Sequence, residues 1–227
     1  LYLYWHIFQL RGGVIGGLTY EVAAWSIFLY FSINALRLRE VTRTIMSDVR
    51  SGTVEILFNK PISYLPYRAW WQIGSSLLPF FLIALGGGLT LATLVGVPAI
   101  FWSVPHLLTT ILTFGLSITL TFLLYTIVGL CAFWIEEVNP LFWITDKAIM
   151  ILGGSYLPVA LFPGFLAAIA RYTPFGASQF LTHTVYTSWD HEWPIMLGIQ
   201  LTWIIILLAI VTWMSRAAHR KLSINGG

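Results

Sequence analysis

Apolar stretches, five of them long, constrain this sequence more than any other feature. A helix needs about 20 mostly apolar residues to cross the hydrocarbon core of a bilayer. The stretches run over about 1–10, 15–36, 69–97, 105–134, 141–161 and 194–214. If the first is the end of a truncated helix, they predict an all-α integral membrane domain with six spans and with both termini on one side.

The composition agrees with a membrane protein and excludes several other classes. Of 227 residues, 58% are hydrophobic and 9% are charged, whereas about a quarter of the residues in soluble domains are charged. So few charged side chains cannot cover a soluble enzyme or a nucleic-acid-binding domain. We therefore expect the lipid bilayer as a partner and no nucleic acid. The chain starts without Met inside an apolar stretch, so we expect that an N-terminal piece is missing.

The basic residues predict the orientation of the chain. Of the twelve Lys and Arg residues, only Arg11 and Arg171 fall on one face of the six-span arrangement. The other ten fall on the opposite face, mostly in segment 37–68 and after the last span. Because basic residues are enriched on the cytoplasmic side of membrane proteins, we place segment 37–68 and the C-terminus in the cytoplasm. Segment 162–193 is then extracellular, and residues 164–172 within it predict a short interfacial helix.

Segment 37–68 begins with the pattern of an amphipathic helix. Leu38, Val41, Ile45 and Val49 recur at steps of three and four residues, and Arg39 and Arg43 fall between them. Residues four apart lie on the same side of a helix, so this helix has an apolar face and a basic face. We expect it to lie beneath the membrane.

A second short helix is expected after a break at Ser51-Gly52. Thr53 is a suitable N-cap, Glu55 would lie in the first turn where the helix dipole favours an acidic residue, and Pro61 would end the helix. The helix–break–helix elbow that results has two interpretations. It is either a rigid surface that a soluble partner could push or a surface helix that anchors the loop, and the residues alone leave both open.

Two groups of residues resemble a known family. The stretch 48–63, DVRSGTVEILFNKPIS, resembles the cytoplasmic segment of ABC-2 type transporter permeases, in which an acidic or polar residue, a Gly, a Leu and a Pro-Ile/Leu-Ser follow the second span. The outer motifs Gly153–Pro158, Leu161–Pro163 and Thr173–Phe175 are similar to the pattern after the fifth span of that family. The resemblance covers most of the chain, and the nearest branch is an uncharacterised subfamily of bacterial permeases.

This resemblance implies a six-span, type V exporter-like transmembrane domain that works as half of a transporter. It implies a second membrane subunit, identical or similar, and an ATP-binding cassette ATPase on the cytoplasmic side of the bacterial plasma membrane. The elbow would be the coupling helix that docks on the ATPase. The chain has no G-x-x-x-x-G-K-[ST] loop, so we expect ATP and Mg to bind the partner and no cofactor to bind this chain.

Candidate site residues follow from these patterns. The expected ATPase-coupling residues are Arg50, Ser51, Gly52, Thr53, Glu55 and Pro61. Residues of a possible substrate path or gate are Glu21, Trp25, Tyr30, Trp143 and Tyr156, which the predicted arrangement puts on spans two and five. For the aromatic residues the alternative is an interfacial belt or helix packing, and for Glu21 it is solvation at the outer surface.

Other chemistry-bearing residues give weaker signals. Asp146 and Lys147 are adjacent, so on a helix they are expected to point in different directions rather than to pair. The five histidines are scattered, without spacing of three or four residues, and we expect no metal site. No nucleophile–base set or paired acidic motif is visible, so a membrane lipid enzyme is a weak alternative. A non-transporting structural or accessory subunit of a larger complex is the other alternative.

Overall fold

The computed structural model describes residues 2–58, 61 and 63–225, and these residues are almost entirely helical. The helices are α1 Tyr2–Leu10, α2 Tyr20–Asn34, α3 Glu40–Arg50, α4 Thr53–Phe58, α5 Tyr64–Phe81, α6 Gly88–Val95, α7 Val104–Leu130, α8 Asn139–Leu152, α9 Gly164–Tyr172, α10 Pro174–Ala177 and α11 Trp189–Asn225. Two short strands, β1 Val14–Ile15 and β2 Leu18–Thr19, pair antiparallel. The all-α prediction for the membrane domain is confirmed.

Three helical stretches are long and apolar enough to cross a membrane. They are Tyr64–Val95, Val104–Phe133 and Trp189–Lys221, and they correspond to the predicted spans 69–97, 105–134 and 194–214. Each has at least 30 residues and at 1.5 Å per residue is about 45 Å long, against about 30 Å of hydrocarbon. The first is continuous because the π-helical turn Leu82–Gly87 joins α5 to α6.

The other two long predicted spans are shorter helices than expected. Helix α2 has 15 residues, about 22 Å, and starts at Tyr20 rather than near residue 15. The cause is Gly16-Gly17, whose positive φ angles of 56° and 81° close a β1–β2 hairpin before the helix can begin. Helix α8 has 14 residues and ends at Leu152 rather than near residue 161, because Gly154 takes a φ of 85° that a helix cannot continue through.

The glycine triplet 86–88 allows a close helix contact. A Cβ atom on Gly87 would lie 2.9 Å from Cε2 of Phe28 on α2, and one on Gly88 would lie 3.4 Å from Cζ of the same ring. The aromatic ring therefore rests directly on the backbone of the α5–α6 helix. This close approach is what small residues permit between membrane helices.

Hydrogen bonds at one end of the molecule join α2 to the end of α6, and α11 to α7. The indole nitrogen of Trp25 donates to the carbonyl of Gly96 at 2.8 Å, and that of Trp189 donates to Oγ1 of Thr109 at 3.0 Å. Arg171 lies near the same end, since it pairs with Glu192 in the first turn of α11 at 3.4 Å.

The opposite end collects the elbow and the ends of α7 and α11. Arg50 donates to the carbonyl of Glu136 at 2.8 Å, and Lys221 donates to the carbonyl of Phe133 at 2.7 Å. Basic side chains from distant parts of the sequence therefore meet at one end, while Arg171 lies at the other. This separation is the pattern that the positive-inside rule requires of a membrane protein.

Helix α7 is the central element, and α3 packs against its C-terminal half. Gly129 makes this contact possible, because a Cβ atom there would lie 3.0 Å from Cβ of Ile45 and 3.2 Å from Cα of Thr42. The hydroxyl of Thr42 donates to the carbonyl of Tyr125 at 2.6 Å. Val41 and Ile45, the apolar face predicted for α3, are fully buried. Protein covers this face.

We expect Gly129→Val to destabilise the protein, because the new side chain would push α3 away from α7. Overpacking of this kind costs about 1–3 kcal/mol, and the loss would be measured as a lower midpoint of thermal unfolding in detergent. Gly115→Val is the matched control, since Gly115 is an exposed glycine of the same helix with no atom within 4 Å of its Cβ position. Equal effects of the two substitutions would contradict the tight α3–α7 contact.

Candidate functional site

The elbow predicted in the cytoplasmic segment is present between α3 and α4. Gly52 takes a φ of 71°, a left-handed conformation that glycine adopts without strain and that stops α3. The hydroxyl of Ser51 accepts the backbone N–H of Thr53 at 3.4 Å and lies 2.8 Å from the Thr53 hydroxyl. The side chain of Ser51, not that of Thr53, therefore accepts a hydrogen bond from a backbone N–H at the start of α4. The prediction of Thr53 as the cap was wrong because the break falls one residue earlier than a Thr53 cap requires.

The tip of the elbow is an exposed surface with an apolar centre. All six predicted coupling residues are exposed, and α4 ends at Phe58, before Pro61. Ile56 beside them is 65% exposed, while Val54 on the opposite side of α4 is fully buried. Ile56 was not predicted from the sequence, because a six-residue helix is too short for an apolar periodicity to show which residue faces outward.

An ion pair joins the elbow to the first long membrane helix. The guanidinium of Arg68 on α5 lies 2.6 Å from the carboxylate of Asp48 on α3, and the hydroxyl of Tyr64 donates to the same carboxylate at 2.6 Å. The Arg68 and Asp48 side chains are only 14% and 10% exposed. The guanidinium also stacks on the rings of Tyr64 and Tyr67, at 5.7 and 5.5 Å from their centroids. We call Asp48, Tyr64 and Arg68 the clamp.

Arg50, the basic residue of the elbow, already has two partners within the chain. Besides its hydrogen bond to the Glu136 carbonyl, its guanidinium lies 3.7 Å from the carboxylate of Glu137. Glu136 and Glu137 belong to the loop between α7 and α8. The elbow is therefore joined on one side to α5 by the nearly buried clamp and on the other side to this loop by an exposed contact.

A cavity of about 550 Å³ opens between α2 and the α5–α6 helix. Its lining is almost wholly apolar: Tyr4, Ala24, Ile27, Phe28, Phe31, Gly86, Gly87, Thr90, Leu91, Leu94, Ser155 and Tyr156. Its volume is in the range of small-molecule sites in proteins.

A second cavity of about 640 Å³ adjoins it and is more polar. It is lined by Tyr30, Phe31, Asn34, Ala35, Arg37, Arg39, Pro79, Ile83, Asp146, Met150, Ser155 and Tyr156. Phe31, Ser155 and Tyr156 line both cavities, so the two cavities are neighbours. We call these two adjoining cavities together the groove.

The whole chain matches one family of membrane transporters. The family described as ABC-2 family transporter protein matches residues 1–226. The chain belongs to this ABC-2 family. No curated protein and no solved structure gives a significant match. The prediction of an ABC-2 type permease is confirmed, and with the three long apolar helices it identifies a membrane-embedded transporter protein.

The structure separates the residues predicted for a substrate path in this ABC-2 protein. Tyr30 and Tyr156 line the groove, although Tyr156 lies in the loop after α8 and not on a span as predicted. Trp25 is buried and packs on the rings of Phe28 and Phe101, outside the lining of the groove. Trp143 is half exposed on α8 beside Lys147, also outside it.

The predicted gate residue Glu21 lies in the first turn of α2, half buried. It is close to the end of α6, since its carboxylate would be 3.9 Å from a Cβ atom on Gly96. Its position beside the Trp25–Gly96 hydrogen bond places it at the end of α2 away from the elbow. A gating role stays a prediction.

Asp146 and Lys147 approach each other, contrary to the sequence prediction. Their charged atoms lie 3.9 Å apart, because the long lysine side chain can bend back across the helix surface. The buried Asp146 carboxylate also accepts a hydrogen bond from the hydroxyl of Tyr125 at 2.9 Å. A buried carboxylate is unfavourable without such partners.

Segment 162–193, which was predicted to be extracellular, contains the predicted helix at Gly164–Tyr172 and a half-buried histidine after it, His183. The His183 ring packs between those of Phe180 and Tyr186, at 5.3 Å from each centroid. Burial, and then the nearby charge of Arg171, lowers the pKa of His183 to about 4 from its usual 6.5. The folded protein therefore keeps this histidine neutral.

The buried clamp predicts a large cost when one partner is removed. We expect Asp48→Asn to lower the free energy of unfolding by about 3–5 kcal/mol, because it leaves the Arg68 guanidinium poorly solvated and without its counter-charge. The double variant Asp48→Leu/Arg68→Met should recover much of that loss. Glu40→Gln is the control, because Glu40 pairs with Arg43 at 3.1 Å on an exposed surface where a pair contributes about 0–1 kcal/mol.

His183 predicts a loss of stability in acid. Its pKa is lower in the folded state than in the unfolded state, so below about pH 6.5 the unfolded chain binds the proton more readily and stability falls until the pH reaches about 4. His183→Phe keeps an aromatic ring in the same place but removes the titrating group. In this variant the thermal midpoint should therefore change less with pH across this window. His191→Phe, at an exposed histidine, should leave the wild-type pH dependence unchanged. Parallel curves for all three proteins would contradict the assignment.

Proposed function

We propose that the chain is the transmembrane permease subunit of an ATP-driven exporter. It would form the substrate path together with a second ABC-2 membrane subunit, identical or similar, in the bacterial plasma membrane. The C-terminus and the elbow would face the cytoplasm. All six apolar stretches would serve as the membrane-embedded elements, with α2 and α8 as short ones.

The exposed elbow tip is the observation that carries this proposal. The apolar face of α3 is already covered by α7, so the elbow does not need lipid to bury the apolar residues of this helix. What remains outward is a compact surface around Ile56 and Glu55, which suits docking on a soluble protein. This favours the pushing surface over the membrane anchor.

Coupling would run through contacts that the chain itself supplies. ATP and Mg are proposed to bind a separate ATP-binding cassette ATPase, and its movement would push α3 and α4. The clamp would pass this displacement to α5, and the Gly129 contact would pass it to α7. Because the α5–α6 helix lines the groove, with Pro79 in one cavity and Gly86 in the other, a shift of the elbow would change the width of the groove.

The docking proposal predicts a specific loss of the ATPase. We expect Glu55→Lys/Ile56→Asp to reduce the ATP-binding cassette protein that co-purifies with the chain by at least about tenfold, which corresponds to the loss of one interface hot spot. ATP-dependent export should fall in parallel. Both residues are exposed, so the thermal midpoint of the chain alone should stay the same.

Thr187→Lys is the control, because Thr187 is exposed at the opposite end of the molecule. Unchanged co-purification with the elbow variant would reject the elbow as the docking surface. A wild-type chain that retains no such ATPase would favour a structural or accessory subunit, and turnover of lipid without an ATPase would favour a membrane enzyme.

A further inference from the structure

The groove changes its chemistry along its length. At one end Phe28, Gly86 and Leu94 form an apolar wall. At the other end the lining contains Arg37 and Arg39, which are at the end of α2 that leads into the elbow. A space that is apolar at one end and charged at the other matches a molecule with the same division.

The charged end of the groove is basic overall. Asp146 is its acidic residue, and the carboxylate is already hydrogen-bonded to Tyr125 and faced by Lys147 at 3.9 Å. Arg39 lies 3.8 Å from the carboxylate of Glu40, a long and largely exposed contact. Arg37 has no ion pair within the described part of the chain. A guanidinium without a protein counter-charge is available to an anion.

The backbone holds Arg37 in an unusual conformation. Its φ is 52°, and it is the one non-glycine residue with a positive φ among those that the structure describes. The left-handed region is sterically unfavourable for an L-residue that has a side chain. The buried amide of Gln72 on α5 fixes this turn by donating to the carbonyls of Leu36 at 3.3 Å and Arg37 at 3.1 Å. Local strain maintained by buried contacts is a feature of binding sites.

We propose that the groove binds an amphiphile that has an anionic headgroup and one apolar chain. Arg37 and Arg39 hold the headgroup, and the chain lies along Phe28, Gly86 and Leu91. This inference deepens the proposed function, on which it rests, by naming the class of substrate that the path takes. Ordinary lipid chains would fill the apolar end as well, but an apolar chain alone makes no contact of its own with the two arginines that line the other end.

The binding test uses the full chain purified in a neutral maltoside detergent. Bound molecules are counted by native mass spectrometry with hexadecyl phosphate, hexadecanol and inorganic phosphate as probes. We expect hexadecyl phosphate to bind at least about tenfold more tightly than hexadecanol, the effect of one or two charge-assisted hydrogen bonds, and inorganic phosphate not to bind. The alcohol and the free phosphate separate the contribution of the chain from that of the headgroup.

Two variants test the two ends of the groove. Arg37→Gln/Arg39→Gln should abolish the preference for the phosphate over the alcohol. Gly86→Leu should weaken both, because a Cβ atom on Gly86 meets nothing within 4 Å and the leucine would fill the apolar end. Arg216→Gln and Gly115→Leu are the matched controls at exposed positions outside the groove, and both should bind like the wild type.

Equal affinities for the phosphate and the alcohol would overturn the inference, as would normal binding by Gly86→Leu. If the wild type binds no probe and Gly86→Leu changes the number of copies in the particle by light scattering, a second copy of the chain occupies the groove and the inference is wrong. The test needs no ATPase. A wild-type chain that retains no ATPase but still prefers hexadecyl phosphate therefore rejects the proposed function alone. A wild-type chain that retains the ATPase but shows no such preference rejects only the substrate class.

Discussion

The contact between α3 and α7 at Gly129 determines how the elbow end of this protein is built. A helix with one apolar face beneath a membrane can bury that face in lipid or in protein. Here the absence of a side chain at Gly129 lets the α3 backbone approach α7, and Ile45 is fully buried between them. Since α7 takes the apolar face, the polar side of α3 and the whole tip of the elbow turn outward. The exposure of Ile56 follows from this placement, and so does the short path from Asp48 to α5.

The clamp makes the elbow mechanically continuous with the membrane helix. An exposed ion pair breaks and re-forms at little cost, whereas the Asp48–Arg68 pair is nearly buried and shares its carboxylate with a tyrosine hydroxyl. Separating these groups would leave a charge with few solvent contacts, which is strongly unfavourable. A displacement of α3 is therefore expected to carry α5 with it. Among the described contacts, this one gives the elbow a way to act on a membrane helix.

Patterns with local causes were predictable from the sequence. Apolar length gave the three long helices, the four-residue spacing of Val41, Ile45 and Val49 gave the buried face of α3, and Gly52 marked the break. The helices differ from the predicted bounds where glycines shorten them. The Gly16-Gly17 hairpin delays the start of α2, and Gly154 ends α8 early. These glycines lie inside apolar runs, so a hydropathy pattern passes over them although their positive φ angles decide the backbone.

The clamp and the groove could not be predicted in the same way, because they depend on residues that are far apart in the sequence. Arg68 contributed only to the count of basic residues, and Asp48 only to a family motif. Arg37 gave no sign of an unusual backbone conformation. Trp25, a prominent aromatic residue, was expected near a path and instead packs on Phe101. Aromatic side chains bury much area in either setting, so residue type alone does not separate a packing role from a binding role.

One face of α5 connects the elbow to the groove. Arg68, Gln72 and Ser76 are four residues apart and so lie in a row along the helix. Arg68 binds Asp48 of the elbow, while Gln72 holds the turn at Arg37 and donates to Ser76 at 3.0 Å. A rotation of α5 driven through the clamp would move the support of Arg37 at the same time, because both contacts lie on this face. The row of side chains on α5 thus contacts the elbow at one end and supports the basic end of the groove at the other. A displacement of the elbow is therefore expected to shift the position of Arg37, which is proposed to hold the headgroup.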